Sequence, residues 1–520
     1  MAAENERLSR KAFAQMNIKD HPEGVQANIK GSIPGWLKGS FLRTGPGRFE
    51  VGESKYKHFF DGLALLHRFT FDNGSVMYHS RYLDSNSYQA AMKENRIVFT
   101  EFGTAGFPDP CLNIFSRAMS TFLTRLKFTD NCNVNWVRSG DQFYTITETP
   151  MIQKVDPVTL EKEETIDISK IISVFTGTAH PHQCPDETAY NLGVNFGARS
   201  TYNIIKLPPQ TEGNDESIYK QASIALTIPT TETYPSYSHS FFMTPNYFIL
   251  VEQPLFINMI KLASLAVMGY SFLDVLDFCP DKPTRFHVVR RSDSTLLETK
   301  YVTEAQFFFH QINAFEKEGH IVLDMCSYKD NEIMKRLYLK PLEEDGLIDA
   351  GSLCKRYYLP IDVEGFQPGD TLSTMHKNET TAILEAEGTV FCKPFVLGEL
   401  GMELPRINYE KYNGKAYQYV YGIISSAERD NGIAKLNVDD GTNKQWYEDG
   451  CFPSEPVFIG TPEGQDEDDG IVLSSVINFN EGGFPFLLVL DAKTFTEIGR
   501  AEIPIEGMPY GIHGYYAEGI

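Results

Sequence analysis

Apolar and polar positions along this chain alternate over short runs, and stretches with the 3.6-residue spacing of an amphipathic helix are few. Segments such as FTFDNGSVMYHSRY (69–82) and FFMTPNYFILVEQ (241–253) are rich in aromatic and β-branched residues, and Gly, Asn, Asp and Pro break them at intervals. That pattern predicts short strands joined by tight turns.

A weak internal repeat runs through the pattern. A strand meets a turn built on Asp or Asn, and a second strand follows. It occurs at FTFDNGSVMY (69–78), QKVDPVTLEKEETI (153–166), KLNVDDGTNKQWY (435–447) and LLVLDAKTFTEIGRAEI (487–503), with a looser copy at VVRRSDSTLLETKYV (288–302). Asp and Asn suit such turns because they tolerate left-handed φ and cap their own backbone. Many hairpins in irregular repetition point to a radial β architecture, a propeller. On the repeats alone, a β-sandwich or barrel fits as well.

Two segments depart from the β pattern. FPDPCLNIFSRAMSTFLTRLKF (107–128) places Ile114, Phe115, Met119, Phe122, Leu123 and Leu126 at helical spacing. LFINMIKLASLAVMGYSFLDVL (255–276) is the most apolar stretch, but only 12 uncharged residues separate Lys261 from Asp274, too few to span a bilayer. Each reads as a helix packed on the core, or as a patch that inserts shallowly into one leaflet.

Composition narrows the class. The 520 residues include 36 Phe and 26 Tyr, enough apolar mass for a large core. A net charge of −22 repels phosphate backbones, which argues against a nucleic-acid partner. Eight scattered cysteines form no CxxC pair and suit a reducing compartment. The N-terminal MAAENERLSRKAFAQ has no apolar stretch, so neither a secretory signal nor a transit peptide is expected. The expected location is cytoplasmic, with peripheral contact to membrane.

Of 12 histidines, four lie in apolar, aromatic or Gly-lined surroundings: His180 in GTAHPH, His239 in PSYSHSF, His310 in AQFFFHQIN and His513 in PYGIHGYY. His67, in FDGLALLHRF, is expected to make a structural hydrogen bond. A buried imidazole needs partners for both nitrogens. A metal can satisfy one and a carboxylate the other. The four are separated by 59, 71 and 203 residues, so only a fold that gathers distant strands on one axis brings them together. Taken singly, each is as readily a core histidine. Glu148 in TITETPMI, Glu403 in GMELPRINY and Glu467 in QDEDDGIVL sit beside strand-like apolar residues and are candidate acceptors for the second ring nitrogen. Taken singly, Glu148 and Glu403 read equally well as surface residues and Glu467 as part of a solvated acidic loop.

At these residues the sequence resembles the carotenoid cleavage oxygenase family, in its animal branch. The resemblance runs from PEGVQANIKGSIPGWLKGSFLRTGPGRFEVG (22–52) through HFFDGLALLHRF, EFGT, TDNC, TETP, TAHPH, SYSHSF, FHQINAFE, PRINYEKY, CFPSEPVF and EDDGIVLS to PYGIHG (509–514). It implies one domain over 1–520, an all-β seven-bladed propeller with a helical and loop cap over an axial metal. It implies Fe(2+) on His180, His239, His310 and His513, with Glu148, Glu403 and Glu467 behind them. Phe102, Thr147 and Tyr328 are implied to line the substrate tunnel. The partners implied are a carotenoid, O2 and a membrane surface met through 107–128 and 255–276.

The chemistry agrees with the implied site. A polyene offers no acidic proton or ester bond, so breaking its C=C bond takes activated oxygen, which is metal chemistry. Imidazole suits iron, and four neutral ligands leave an octahedral ion two open positions. The reaction implied is central 15,15′ cleavage with all-trans to 11-cis isomerisation of one product. ITETPMIQKVDP, YFILVEQPL, DMCSYKDNEIMKRLYL and HGYYAEGI are similar to the insect isomerooxygenases of the family. PYGIHG and RFHVV are similar to the vertebrate 9′,10′ enzymes, and GFPDPC to the retinyl ester isomerohydrolase. Those two reactions, and a non-catalytic carotenoid binder, are the alternatives.

Overall fold

The computed structural model describes residues 17–106, 128–197, 199–211, 213–344, 351–375, 379–425 and 431–520. The segment 107–127, which carries most of the first expected helix, and His376 lie outside the described residues.

The Asp/Asn-centred repeats are hairpins. Leu63–Asp72 pairs with Ser75–Tyr82, Met151–Val155 with Lys162–Asp167, Gly432–Asn437 with Asn443–Tyr447, and Phe486–Asp491 with Glu497–Glu502. The turn acids do the capping the sequence suggests. Asp156 Oδ1 accepts from the Val158 and Thr159 amides at 2.7 and 2.8 Å, and Asp491 Oδ1 accepts from Thr494 N at 2.7 Å. Left-handed φ falls at Asn73 (48°), Leu160 (59°), Ser294 (58°) and Phe495 (61°), all inside these turns.

The described residues form seven sheets of four or more strands and two two-stranded ribbons. Neighbouring strands in the larger sheets are mostly consecutive in sequence and antiparallel, and the fold is an all-β propeller. The chain ends close it. Gly39–Arg48 lies between Leu63–Asp72 and the last strand, His513–Ala517, with Thr44 opposite His513. Asn28–Gly31 adds an outer strand to Glu497–Glu502. Both ends of the chain thus complete sheets begun elsewhere.

The apolar segment 255–276 divides. Leu255–Ile257 is a strand and Met259–Met268 a helix, and a 3-10 turn at Leu273–Val275 leads to the strand Leu276–Phe278. Asn258 caps the helix by accepting from the Ile260 and Lys261 amides, and Gly269 ends it in the left-handed region at φ 68°. Leu262 and Leu265 pack against the largest apolar cluster, which also contains Phe307, Phe309, Tyr510 and Ile512 from the propeller and Ile333, Leu337 and Leu342 from short helices. On the same helix Ile260 is 72 % and Met268 59 % exposed. Among the described residues no helix is long and apolar enough to cross a membrane.

Candidate metal centre

His180, His239, His310 and His513 meet. One ring nitrogen from each lies within 4.8 Å of the others. Each comes from the inner edge of a different sheet. His180 sits between the short strands Thr176–Gly177 and His182–Gln183, and His239 precedes Phe242–Met243. His310 lies where the strand Phe307–Lys317 shifts register, and His513 opens the closing strand.

Three of the rings are anchored from behind. His239 Nδ1 donates to Glu148 Oε1 at 2.5 Å, and His310 Nδ1 donates to Glu403 Oε2 at 2.5 Å. His513 Nδ1 donates to Glu455 Oε1 at 2.8 Å. Glu148, Glu403 and Glu455 belong to the three larger sheets that supply no histidine, so each of the seven sheets sends one side chain to the site.

The carboxylates are themselves held. Tyr237 Oη donates to Glu148 Oε1 at 2.7 Å, and Tyr328 Oη donates to Glu403 Oε1 at 2.8 Å. Glu455 accepts from the Gly514 amide at 2.8 Å and faces Arg43 Nη1 at 3.6 Å and Arg406 Nη1 at 3.7 Å.

This arrangement fits a metal ion. A carboxylate on Nδ1 fixes the proton there and leaves Nε2 as a lone pair. The Nε2 atoms of His180 and His239 lie 3.0 Å apart and those of His239 and His310 3.2 Å apart, while His513 Nε2 is buried with no hydrogen-bond partner. Lone pairs that face one another at this range repel unless a cation sits among them. Burial favours the neutral form of His180, His239 and His513, as metal ligation requires. Burial and the neighbouring rings push His180 well below its ordinary value, and burial holds His513 at about 4 although Glu455 pulls it upward. Burial works against the charge of Glu455, but Arg406, His513 and Arg43 outweigh it and hold that carboxyl down at about 2.

The expectation for Glu467 is overturned. Its carboxylate accepts from the Gln418 amide at 2.8 Å and the Tyr419 amide at 2.8 Å and touches no ring of the site. It anchors a loop, which suits a residue in an acidic turn. Glu455, in CFPSEPVF, takes the place assigned to it. The signal for Glu455 was a lone acid held between prolines and strand residues, where water cannot reach it. His67 also departs from expectation: it is fully buried and, among the described residues, neither ring nitrogen has a hydrogen-bond partner.

A cavity of about 300 Å³ opens onto His239, His310 and His513. Phe102, Thr147 and Tyr328 all line it, with Phe60, Phe272 and Phe309. Leu262 and Leu265 bring the helix Met259–Met268 to the same wall. His182, next to the site in sequence, is structural: Nε2 reaches the Phe241 carbonyl at 2.9 Å and Nδ1 meets Tyr409 Oη at 3.0 Å.

A propeller with a histidine cluster on its axis, backed by carboxylates and facing an apolar cavity, defines a class of metal-dependent enzymes acting on apolar substrates. The chain belongs to the Retinal pigment epithelial membrane protein family, whose profile matches residues 13–518. It is 40% identical over 512 residues to the β,β-carotene 15,15′-dioxygenase of Gallus gallus, covering 96% of this chain and 97% of that one. It is 42% identical to the mitochondrial carotenoid-cleaving dioxygenase of Homo sapiens, covering 96% and 89%. These relatives are vertebrate enzymes. Among solved structures it is similar to a mutant of the Synechocystis apocarotenoid oxygenase, with a TM-score of 0.76, 21% identity and 99% of both chains covered. The cobalt-substituted form of that oxygenase gives a TM-score of 0.75 at 21% identity, with 98% and 99% covered.

Proposed function

We propose that this chain is an iron-dependent dioxygenase that cleaves a carotenoid at its central 15,15′ double bond and releases retinal-type aldehydes. The observation that carries the reading is the convergence of four imidazoles, three of which have Nδ1 held by a carboxylate and line an apolar cavity. Relatives at about 40% identity that carry carotenoid dioxygenase names support it.

His180, His239, His310 and His513 would hold Fe(2+), and Glu148, Glu403 and Glu455 would fix their tautomers. When bound, the ferrous ion supplies the oxygen chemistry that breaks a C=C bond. Both atoms of O2 then end in the two aldehydes, so no other oxidant is needed. The chain's own share is positioning and exclusion of water. Phe60, Phe102, Phe272 and Phe309 offer flat apolar faces to a polyene, and Tyr237 and Tyr328 hold the carboxylates still. Isomerisation of one half to 11-cis belongs to this reading only through motifs such as ITETPMIQKVDP and HGYYAEGI that resemble the insect isomerooxygenases, with Thr147 and Phe102 as the walls that would constrain the polyene.

The same reading includes one domain over the whole chain and a propeller of seven blades, one for each of the larger sheets. Six blades would require two of those sheets to share one. It also includes peripheral membrane contact through Ile260 and Met268, whose helix turns its other side to the cavity. A cytoplasmic location completes it.

Iron-loaded protein incubated with β-carotene or zeaxanthin under 18O2 gives only C20 aldehydes, one of them cis, each carrying one labelled oxygen. Longer apocarotenals would place the cut off centre. Retinol released from retinyl ester without O2 would make the chain an isomerohydrolase.

A further inference from the structure

The strand Met402–Arg406 serves two rings of the metal site. Glu403 stands behind His310. The pairing of this strand with Tyr419–Ile424 shifts register between Glu403 and Arg406, and Leu404 lies in the left-handed region at φ 49° inside the shift. Leucine adopts that conformation only where its surroundings impose it. There the Leu404 amide donates to Glu403 Oε2 at 2.8 Å. A register shift of this kind re-aims the side chains that follow it. Arg406 accordingly reaches a different acid, Glu455, behind a different ring.

Arg406 meets Glu455 at the oxygen that holds the ligand. Nη1 lies 3.7 Å from Glu455 Oε1, which accepts from His513 Nδ1 at 2.8 Å. Nη2 donates to the Gly514 carbonyl at 3.4 Å, and the Gly514 amide donates to Glu455 Oε2 at 2.8 Å. Arg43 faces the other oxygen, Oε2, and its donors are already engaged by the Glu455 and Gly511 carbonyls and the Ser454 hydroxyl. Arg43 is fully buried, whereas the Arg406 side chain is 30 % exposed.

The three backing acids are therefore unequal. The Tyr237 hydroxyl supports Glu148, and the Tyr328 hydroxyl and the Leu404 amide support Glu403, all of them uncharged donors. Among the described residues no Lys or Arg pairs with Glu148 or Glu403, whereas Glu455 faces two arginines. The bond from His513 to its acid is also longer, 2.8 Å against 2.5 Å at His239 and at His310. A carboxylate on Nδ1 makes an imidazole a stronger donor to a metal. A cation that shares the carboxylate oxygen weakens that pull. Weaker donation, with a positive charge close by, favours the ferrous over the ferric ion.

We propose that Arg406 is a positioning residue that tunes the metal: by sharing Glu455 Oε1 with His513 it weakens that ring as a donor, raises the Fe(III)/Fe(II) potential and keeps the resting ion ferrous. The inference rests on the iron reading above.

The experiment measures the Fe(III)/Fe(II) midpoint of the full iron-loaded chain by redox titration, followed through the ferric electron paramagnetic resonance signal. Arg406→Gln removes the charge and keeps an amide donor for the Gly514 carbonyl. It raises the ferric-to-ferrous ratio at a fixed potential about tenfold, a fall in midpoint of about 59 mV for one electron, with iron content unchanged. Arg406→Lys, which keeps the charge, retains most of the wild-type midpoint. An unchanged midpoint in Arg406→Gln overturns the proposal, and so does an equal fall in Arg406→Lys. Loss of the fold or of bound iron in Arg406→Gln makes Arg406 merely structural and also overturns it. A wild type that binds no iron overturns the iron reading itself, and the inference with it.

Discussion

At the residue scale the site turns on which acid stands behind which ring. Glu467 and Glu455 both lie beside strand residues, and composition does not separate them. Their partners do: Glu467 binds the Gln418 and Tyr419 amides and Glu455 binds His513. Glu455→Gln therefore lowers metal affinity about 10- to 100-fold, whereas Glu467→Gln leaves metal content near that of the wild type. Metal analysis of the two purified variants after limited chelation checks both. Arg43 extends the chain of support. It is fully buried and donates to the Glu455 and Gly511 carbonyls at 2.9 and 2.8 Å. A Cβ on Gly511 would lie 2.5 Å from Arg43 Nε, so only glycine leaves the guanidinium its place. Arg43→Met leaves a buried carboxylate under-compensated and costs about 3 kcal/mol of stability, read as a fall in the urea midpoint. Single residues were the least legible part of the sequence. Four histidines of 12 are singled out by the likeness of whole motifs, and Glu455 sits inside one of those motifs, CFPSEPVF.

At the scale of elements, the sequence was most readable where the physics is local. Asp156 and Asp491 cap their own turns, and the hairpins fell where those turn residues sit. The apolar run at 255–276 was less readable as a unit. Asn258 and Gly269, both visible in the sequence, cut it to the ten-residue helix Met259–Met268. Its Leu265 faces the cavity, so the exposed positions are the ones to test. Ile260→Asp with Met268→Asp releases the protein from liposomes in a flotation assay while metal content persists. Unchanged flotation would contradict the membrane contact. Elements are also joined by neutral buried histidines outside the metal site. His58 Nε2 meets the Met334 carbonyl at 2.7 Å and His182 Nε2 the Phe241 carbonyl at 2.9 Å, and burial holds both rings down at about 4. The unfolded chain, with histidines near 6.5, binds more protons below that pH. Stability therefore falls as pH drops from 6.5 through about 4, by on the order of 3 kcal/mol for each ring, and changes little from this source above 6.5. Urea unfolding between pH 7.5 and 4.5 follows this loss, and His182→Asn, which keeps a donor for the carbonyl, reduces it.

The whole molecule explains why separations of up to 203 residues carry one site. A ring of sheets brings one inner edge from each to the axis, and pairing of Gly39–Arg48 with His513–Ala517 delivers the last ligand only when the ring closes. The all-β class was legible in the alternation and the turns. The ring was not, because no local residue encodes which sheet neighbours which, and long-range pairing is written in side-chain packing rather than in motifs. Metal binding and closure are coupled through His513, so chelation lowers the unfolding temperature and iron restores it.

X-ray absorption at the iron edge, on protein reconstituted with Fe(2+), reads the centre most directly. Four imidazoles scatter, with further light-atom ligands at exchangeable positions, and three remain in His180→Ala. A spectrum with fewer than four imidazoles in the wild type, or one unchanged by His180→Ala, would contradict this coordination.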